Sequence, residues 1–209
     1  MAEARFLFDR ALGLARRALA SLRTRGWRAS WSRVSLQVRR RRLPPAPAYR
    51  PDPAPFAPFA LPCAPRPRAS IVIPVYGQFP HTLACLRALA AHPPATPVEV
   101  IVVDDGSGDE TPEALPRIGG LRYHRRTANG GFIAACNEGA ALARGEFLVF
   151  LNNDTVPQPG WLDALLATFG AQPDVGVSGA QLLYPDGRLQ EAGGVVFSDG
   201  SAWNYGRVG

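Results

Sequence analysis

Val98-Glu99-Val100-Ile101-Val102-Val103-Asp104-Asp105-Gly106-Ser107 decides how this chain is read. A run rich in β-branched residues, closed by an Asp-Gly turn signal, predicts a strand over 98–103. The same unit recurs outward from it. Strands are predicted at 71–76, 121–123, 147–151 and 175–178, and helices near 79–91, 131–143 and 160–169. Strand then helix, repeated, gives an α/β fold with a mostly parallel central sheet covered on both faces. Ligands of such sheets bind outside the carboxyl ends of the strands, so chemistry is to be sought in the residues that follow each strand.

Those residues are Pro74-Val75-Tyr76-Gly77, Asp104-Asp105-Gly106-Ser107 and Asn152-Asn153-Asp154. Each has an ordinary structural explanation. Asp-Gly is a common turn, Ser107 to Glu110 has the spacing of a capping box for a following helix, and Asn-Asp is frequent in loops. Their joint placement, however, brings acids and amides to one edge of the sheet. The other polar residues point to less. His81, His92 and His124 lack metal-ligand spacing, and Arg125 and Arg126 read as a solvated strand end that can reach a diphosphate. Cys63, Cys85 and Cys136 are odd in number, far apart and without a CxxC pair. They exclude a disulfide framework and a zinc site, and read as small buried thiols in a reducing compartment.

The 209 residues are 46% hydrophobic and 19% charged, enough to bury a sizeable core. The net charge of +6 is unevenly spread: residues 1–48 hold twelve Arg against Glu3 and Asp9, and the other 161 hold eleven Arg against fifteen acids. Three regions follow: a basic leader (1–43), a Pro-rich linker (44–69) and the α/β body (70–209). In the leader, Phe6, Leu7, Ala11, Leu14, Ala18 and Leu22 recur at helical spacing among arginines, and Trp27, Trp31 and Arg39 to Arg42 follow. This basic helical stretch suits an anionic membrane surface, and a solvated arm accounts for it equally well. Nucleic acid is not expected as a partner, because no nucleic-acid module accompanies the arginines. Ten of the 26 residues from Pro44 to Ala69 are proline, which predicts an extended connection.

Four motifs in order resemble those of the family 2 glycosyltransferases: Ile71-Val72-Ile73-Pro74-Val75-Tyr76; Val102 to Ser107; Asn129-Gly130-Gly131-Phe132 through Asn137-Glu138-Gly139 to Gly145; and Leu151-Asn152-Asn153-Asp154. The tail from Leu183 to Gly194 is similar to bacterial members that build O-antigen and other surface polysaccharides, rhamnosyltransferase-like ones included. The resemblance covers residues 69–209 and implies a GT-A-type nucleotide-sugar-binding domain. It implies that Asp104 or Asp105 accepts a base N–H, and that Pro74, Val75 and Tyr76 flank the ring. Gly130 and Gly131 would let main chain approach ribose or phosphate at a helix N-terminus. Asn129 and Asn137 contact the nucleotide sugar or brace the loop. Asn152-Asn153-Asp154 stands where the family carries an Asp-X-Asp metal motif; Asn152 replaces the first aspartate, which leaves Asp154 as the carboxylate for Mg²⁺ or Mn²⁺, with Asn152 and Asn153 on the sugar side.

The resemblance further implies an inverting transfer from a nucleotide diphosphate sugar to a glycan or lipid-linked acceptor, at the cytoplasmic face of the plasma membrane. The family's general base follows the metal motif in an acidic sequence. Asp186, Glu191 and Asp199 are the late acids here, and each reads as part of a turn or hairpin. The base is therefore expected beyond residue 209, in a domain truncated at its C-terminus. The alternative is a catalytically silent nucleotide-sugar-binding fragment. A nucleotidyltransferase lacks its Gly- and Lys-rich loop here, and a dinucleotide dehydrogenase lacks its GxGxxG after the first strand.

Overall fold

Alternate residues of two neighbouring strands go to opposite faces of one sheet, and each face finds its own helical cover. The computed structural model describes residues 48–52, 54–196 and 202–204; the leader lies outside them. Up to Ala180 the elements are β1 (Ala69–Val75), α1 (Phe79–Ala91), β2 (Val98–Asp104), α2 (Thr111–Ala114) running into a 3₁₀ turn (Leu115–Arg117), β3 (Leu121–Arg125), α3 (Phe132–Leu142), β4 (Phe147–Phe150) and α4 (Trp161–Ala171). The four strands pair in parallel in the order β3-β2-β1-β4. This is the expected α/β class. Chain order reverses between β1 and β4, which marks that gap as the ligand-binding switch point of the sheet.

Ile71, Ile73, Val100 and Val102 face a core shared with Leu83, Leu86 and Leu89 of α1 and Leu162 and Leu166 of α4. Val72, Ile101 and Val103 face the other way, against Ala135 of α3. Each fully buried aliphatic side chain contributes about 1.5–3 kcal/mol. Helix α3 lies so close to the sheet that a methyl added at Gly139 would meet Val72 Cγ1 at 2.3 Å, so only glycine fits there.

At the amino ends of the strands, buried Glu99 of β2 ties four segments together. Its Oε1 accepts from the Ser70 hydroxyl (2.7 Å) and the Arg144 main-chain N–H (2.8 Å), while its Oε2 accepts from the guanidinium groups of Arg122 and Arg144. Burial pushes this carboxyl up, but the bonds from Ser70, Arg144 and Arg122 outweigh it and hold the pKa at about 2.

Two expectations change, and the Pro-rich stretch gains contacts: Leu61 N–H donates to Gly119 O (2.8 Å), Ala64 N–H donates to Val98 O (2.8 Å), and Phe56 and Phe59 pack on the core. Prolines remove donors, but the residues between them still pair. The predicted strand at 175–178 is irregular: Gly176 interrupts it, and it pairs with no described strand. Cys63 is exposed, whereas Cys85 and Cys136 are buried as expected.

From Gln181 on, the described residues form a second unit. It holds two hairpins: β5 (Leu182–Leu183) with β6 (Leu189–Glu191), and β7 (Gly194–Val196) with β8 (Ala202–Asn204). In the first hairpin Asp186 is engaged by Arg188 at 2.7 Å. Asp199 lies outside the described residues.

Candidate nucleotide-sugar site

The carboxyl ends of β1, β2 and β4 meet the start of α3 around a cavity of about 270 Å³. Pro74, Val75, Tyr76, Asp105, Asn129 and Asn153, all singled out from the sequence, line it. Gly131, Phe132 and Ala135 line it as well. Phe132 and Ala135 are one turn apart on α3 and therefore share a face. Phe132 stands directly after the Gly130-Gly131 pair, and that adjacency is the sequence signal for including it among the candidates. Tyr76 and Phe132 both stay more than 60% exposed, which leaves two aromatic surfaces available at one cavity.

The two aspartates at the end of β2 divide their work. Asp104 is fully buried and does not line the cavity, so the expectation that it can receive a base N–H is corrected. Its Oδ1 accepts the Ser107 N–H (2.7 Å), and its Oδ2 accepts the Tyr123 hydroxyl (2.5 Å) and a long contact from Arg125 (3.5 Å). Burial and the Asp104 charge push the Tyr123 hydroxyl well above the usual tyrosine range, so it stays a donor. Ser107 in turn accepts the Gly77 N–H on its Oγ (2.8 Å), and Asp109 accepts the Phe79 N–H (3.0 Å). The expected capping box does not form, since Ser107 and Asp109 instead hold the β1–α1 turn behind Tyr76. That turn needs holding, because Gly77 and Gln78 both have positive φ.

Asp105 points the other way. It accepts the N–H groups of Gly130 (3.0 Å) and Gly131 (2.7 Å) and pairs with the Arg126 guanidinium. Burial pushes its carboxyl up, but Gly130, Arg126 and Gly131 outweigh it and keep it below the ordinary carboxylate range. Asp105 thus holds the glycine turn that leads into α3. The Gly130 N–H expected to meet ribose or phosphate is already taken, and the next helix-start donors are those of Phe132 and Ile133. Asn129 accepts the Gly131 N–H on its Oδ1 (3.1 Å) and so braces this loop while it lines the cavity. Arg126 also donates to Glu138 (2.6 Å), which contacts His124 (2.5 Å). Arg125 donates to Ser107 O (3.0 Å), so neither arginine is a solvated strand end. Asn137 is exposed on α3 and does not line the cavity.

After β4, Asn152 and Asp154 are exposed and Asn153 is half-buried. Asn153 Nδ2 donates to Thr82 Oγ1 (2.9 Å), and the Asn152 carbonyl accepts the Thr155 hydroxyl (2.7 Å). The Asp154 carboxylate accepts no hydrogen bond from a described residue. Among the described residues, no group of three His, Cys, Asp or Glu side chains can hold a metal ion unaided. A single free carboxylate fits a hard cation that is completed by phosphate oxygens and water.

The sequence model described as Glycosyl transferase family 2 matches residues 70–196. An uncharacterized Sinorhizobium fredii protein, y4gI, is 35% identical over 72% of this chain and 17% of its own length. The O-antigen biosynthesis protein RfbC of Myxococcus xanthus is 34% identical over 65% of this chain and 11% of its own length. This chain therefore spans less than a fifth of either relative. Among solved structures, the mannosyltransferase PcManGT of Pyrobaculum calidifontis, in complex with GDP-Man and Mn²⁺, is 26% identical over 79% of this chain and 44% of that one, with a TM-score of 0.50. With the ordered motifs, the parallel GT-A-type sheet and the cavity at its switch point all in place, this chain belongs to glycosyltransferase family 2.

Proposed function

We propose that this chain binds the donor of an inverting glycosyltransferase, which moves a hexosyl or deoxyhexosyl unit from a nucleotide diphosphate sugar to a cell-surface polysaccharide or glycolipid acceptor. The observation that carries the reading is Asp105, an ionised carboxylate lining a cavity that also holds two exposed aromatic faces. Its oxygens accept from Arg126, Gly130 and Gly131, with the Gly130 N–H shared between the two, and an N–H of the base edge would take the place of the longer Gly130 contact on Oδ2 (3.2 Å). Tyr76 lies flat surface beside that edge, and Pro74 and Val75 close the wall. RfbC is named for O-antigen biosynthesis and PcManGT was solved with GDP-Man and Mn²⁺, which supports a glycan acceptor and a sugar-diphosphate donor.

Asp154 would hold Mg²⁺ or Mn²⁺ together with the two phosphates. When bound, the cation supplies neutralisation of the charge that grows on the departing nucleoside diphosphate. Asn152, placed beside it, offers a neutral amide to ribose or sugar hydroxyls. Asn137 is assigned to the outer end of the donor, where its exposed amide can meet the sugar or the acceptor. The acceptor hydroxyl needs a carboxylate base to take its proton.

No described helix is long and apolar enough to cross a membrane. We assign the basic leader to the anionic inner face of the plasma membrane, alongside a lipid-linked acceptor. The test of the donor site is titration of UDP, GDP and dTDP with and without Mn²⁺, in the wild type and in Asp154→Ala. Tighter binding with Mn²⁺ that Asp154→Ala removes supports the reading; binding of none of the three overturns it.

A further inference from the structure

We infer that Thr82 of α1 orients the side-chain amide of Asn153, so that the carbonyl oxygen of Asn153 is the group offered to a ribose hydroxyl of the nucleotide. The inference rests on the nucleotide-sugar reading of the cavity. A carboxylate at this position would present two equivalent oxygens, whereas an asparagine has two chemically different ends. Which end a ligand meets depends on what holds the amide from behind. Here Thr82, fully buried on α1, accepts from Asn153 Nδ2 at 2.9 Å. With the NH₂ committed there, Oδ1 is the acceptor left for the cavity that Asn153 lines. A ribose hydroxyl is a donor of matching chemistry, while a phosphate oxygen is not.

A second contact seats the same turn on the same helix face. Cys85 lies three residues after Thr82, and its Sγ approaches the Asn152 carbonyl at 3.8 Å. Burial pushes the Cys85 thiol up to about 12, so it remains the protonated donor in this contact. Helix α1 therefore fixes both the main chain of Asn152 and the side chain of Asn153. Thr82 is a positioning residue: it acts on the nucleotide only through Asn153.

The experiment is a double-mutant cycle on nucleoside diphosphate affinity, measured calorimetrically with whichever of UDP and GDP the wild type binds. Thr82→Val should weaken binding about 3- to 10-fold, the range one orienting hydrogen bond supplies, and Thr82→Ser, which keeps the hydroxyl, should stay within about twofold of wild type. In an Asn153→Ala background, Thr82→Val should cause no further loss, and binding of the 2′- or the 3′-deoxy analogue should no longer be weaker than that of the parent. Equal losses from Thr82→Val with and without Asn153, no loss at all, or failure of Thr82→Ser to restore affinity would overturn the inference while nucleotide still binds. Absence of binding by the wild type would instead remove the underlying reading of the cavity.

Discussion

The Asp105 carboxylate lies 2.7 Å from the main-chain N–H of Gly131, so the residue that faces the cavity also holds the glycine turn that leads into α3. Site and scaffold are thereby one hydrogen-bonded unit. Its neighbour in sequence, Asp104, never reaches the cavity. A difference of one residue separates a buried structural carboxylate from a cavity-facing one, because consecutive residues at a strand end point to opposite sides.

Asp104→Asn should therefore act on stability first. An amide cannot accept from both the Ser107 N–H and the Tyr123 hydroxyl without turning its NH₂ toward one donor, which costs about 1–3 kcal/mol. Urea denaturation should show that loss, while nucleotide affinity of the folded protein stays within about threefold of wild type. An unchanged denaturation midpoint would contradict the assignment.

Glu99 predicts the acid limit of the fold. Its pKa is lowered in the folded protein, so its contribution is fully present above the unfolded value near 4.5 and is lost as pH falls toward about 2. That interval corresponds to a few kcal/mol, on the order of 3 at neutral pH. Glu99→Gln should be less stable than wild type at pH 7, and the gap should narrow steadily between pH 5 and pH 2 in thermal melts. A gap independent of pH would mean that the Glu99 charge is not what stabilises the brace.

The thiols should separate by accessibility. Cys63 is exposed, while Cys85 and Cys136 are buried and burial pushes both thiols up. Native protein at pH 8 should alkylate at Cys63 within minutes and at the other two only after denaturant is added, as peptide mass spectrometry can follow. Fast labelling of Cys85 would mean that α1 is not seated on the Asn152–Asn153 turn.

Removing residues 1–42 should abolish co-sedimentation with vesicles rich in anionic lipid, and added salt should do the same to the full chain. Unchanged sedimentation would leave the leader as a solvated arm.

Local pattern was enough for β1, β2, α1 and α3, since β-branched runs and helical spacing report burial directly. It was not enough for Val175 to Ser178, where the absence of a partner decided the outcome. Nor did it show that the proline-rich stretch lies against β2 and the Gly119 turn, which is a long-range matter. Most of the cavity was legible at the strand ends. What escaped were residues whose role depends on a distant partner: Thr82, which meets Asn153 across 71 positions, and Ser107, which meets Gly77 across 30. Phe132 escaped for a different reason, because an aromatic at a helix start usually joins the core and here it stays open.

In the proposed function, Asp105 both shapes and reads the nucleotide end of the cavity. Isothermal titration of UDP, GDP and dTDP in the presence of Mn²⁺, comparing the wild type with Asp105→Ala, tests it most directly. The wild type should bind at least one of them, and Asp105→Ala should lose about 100-fold or more, consistent with removing a charged hydrogen bond and the turn it organises. Equal affinity in the two proteins would contradict it.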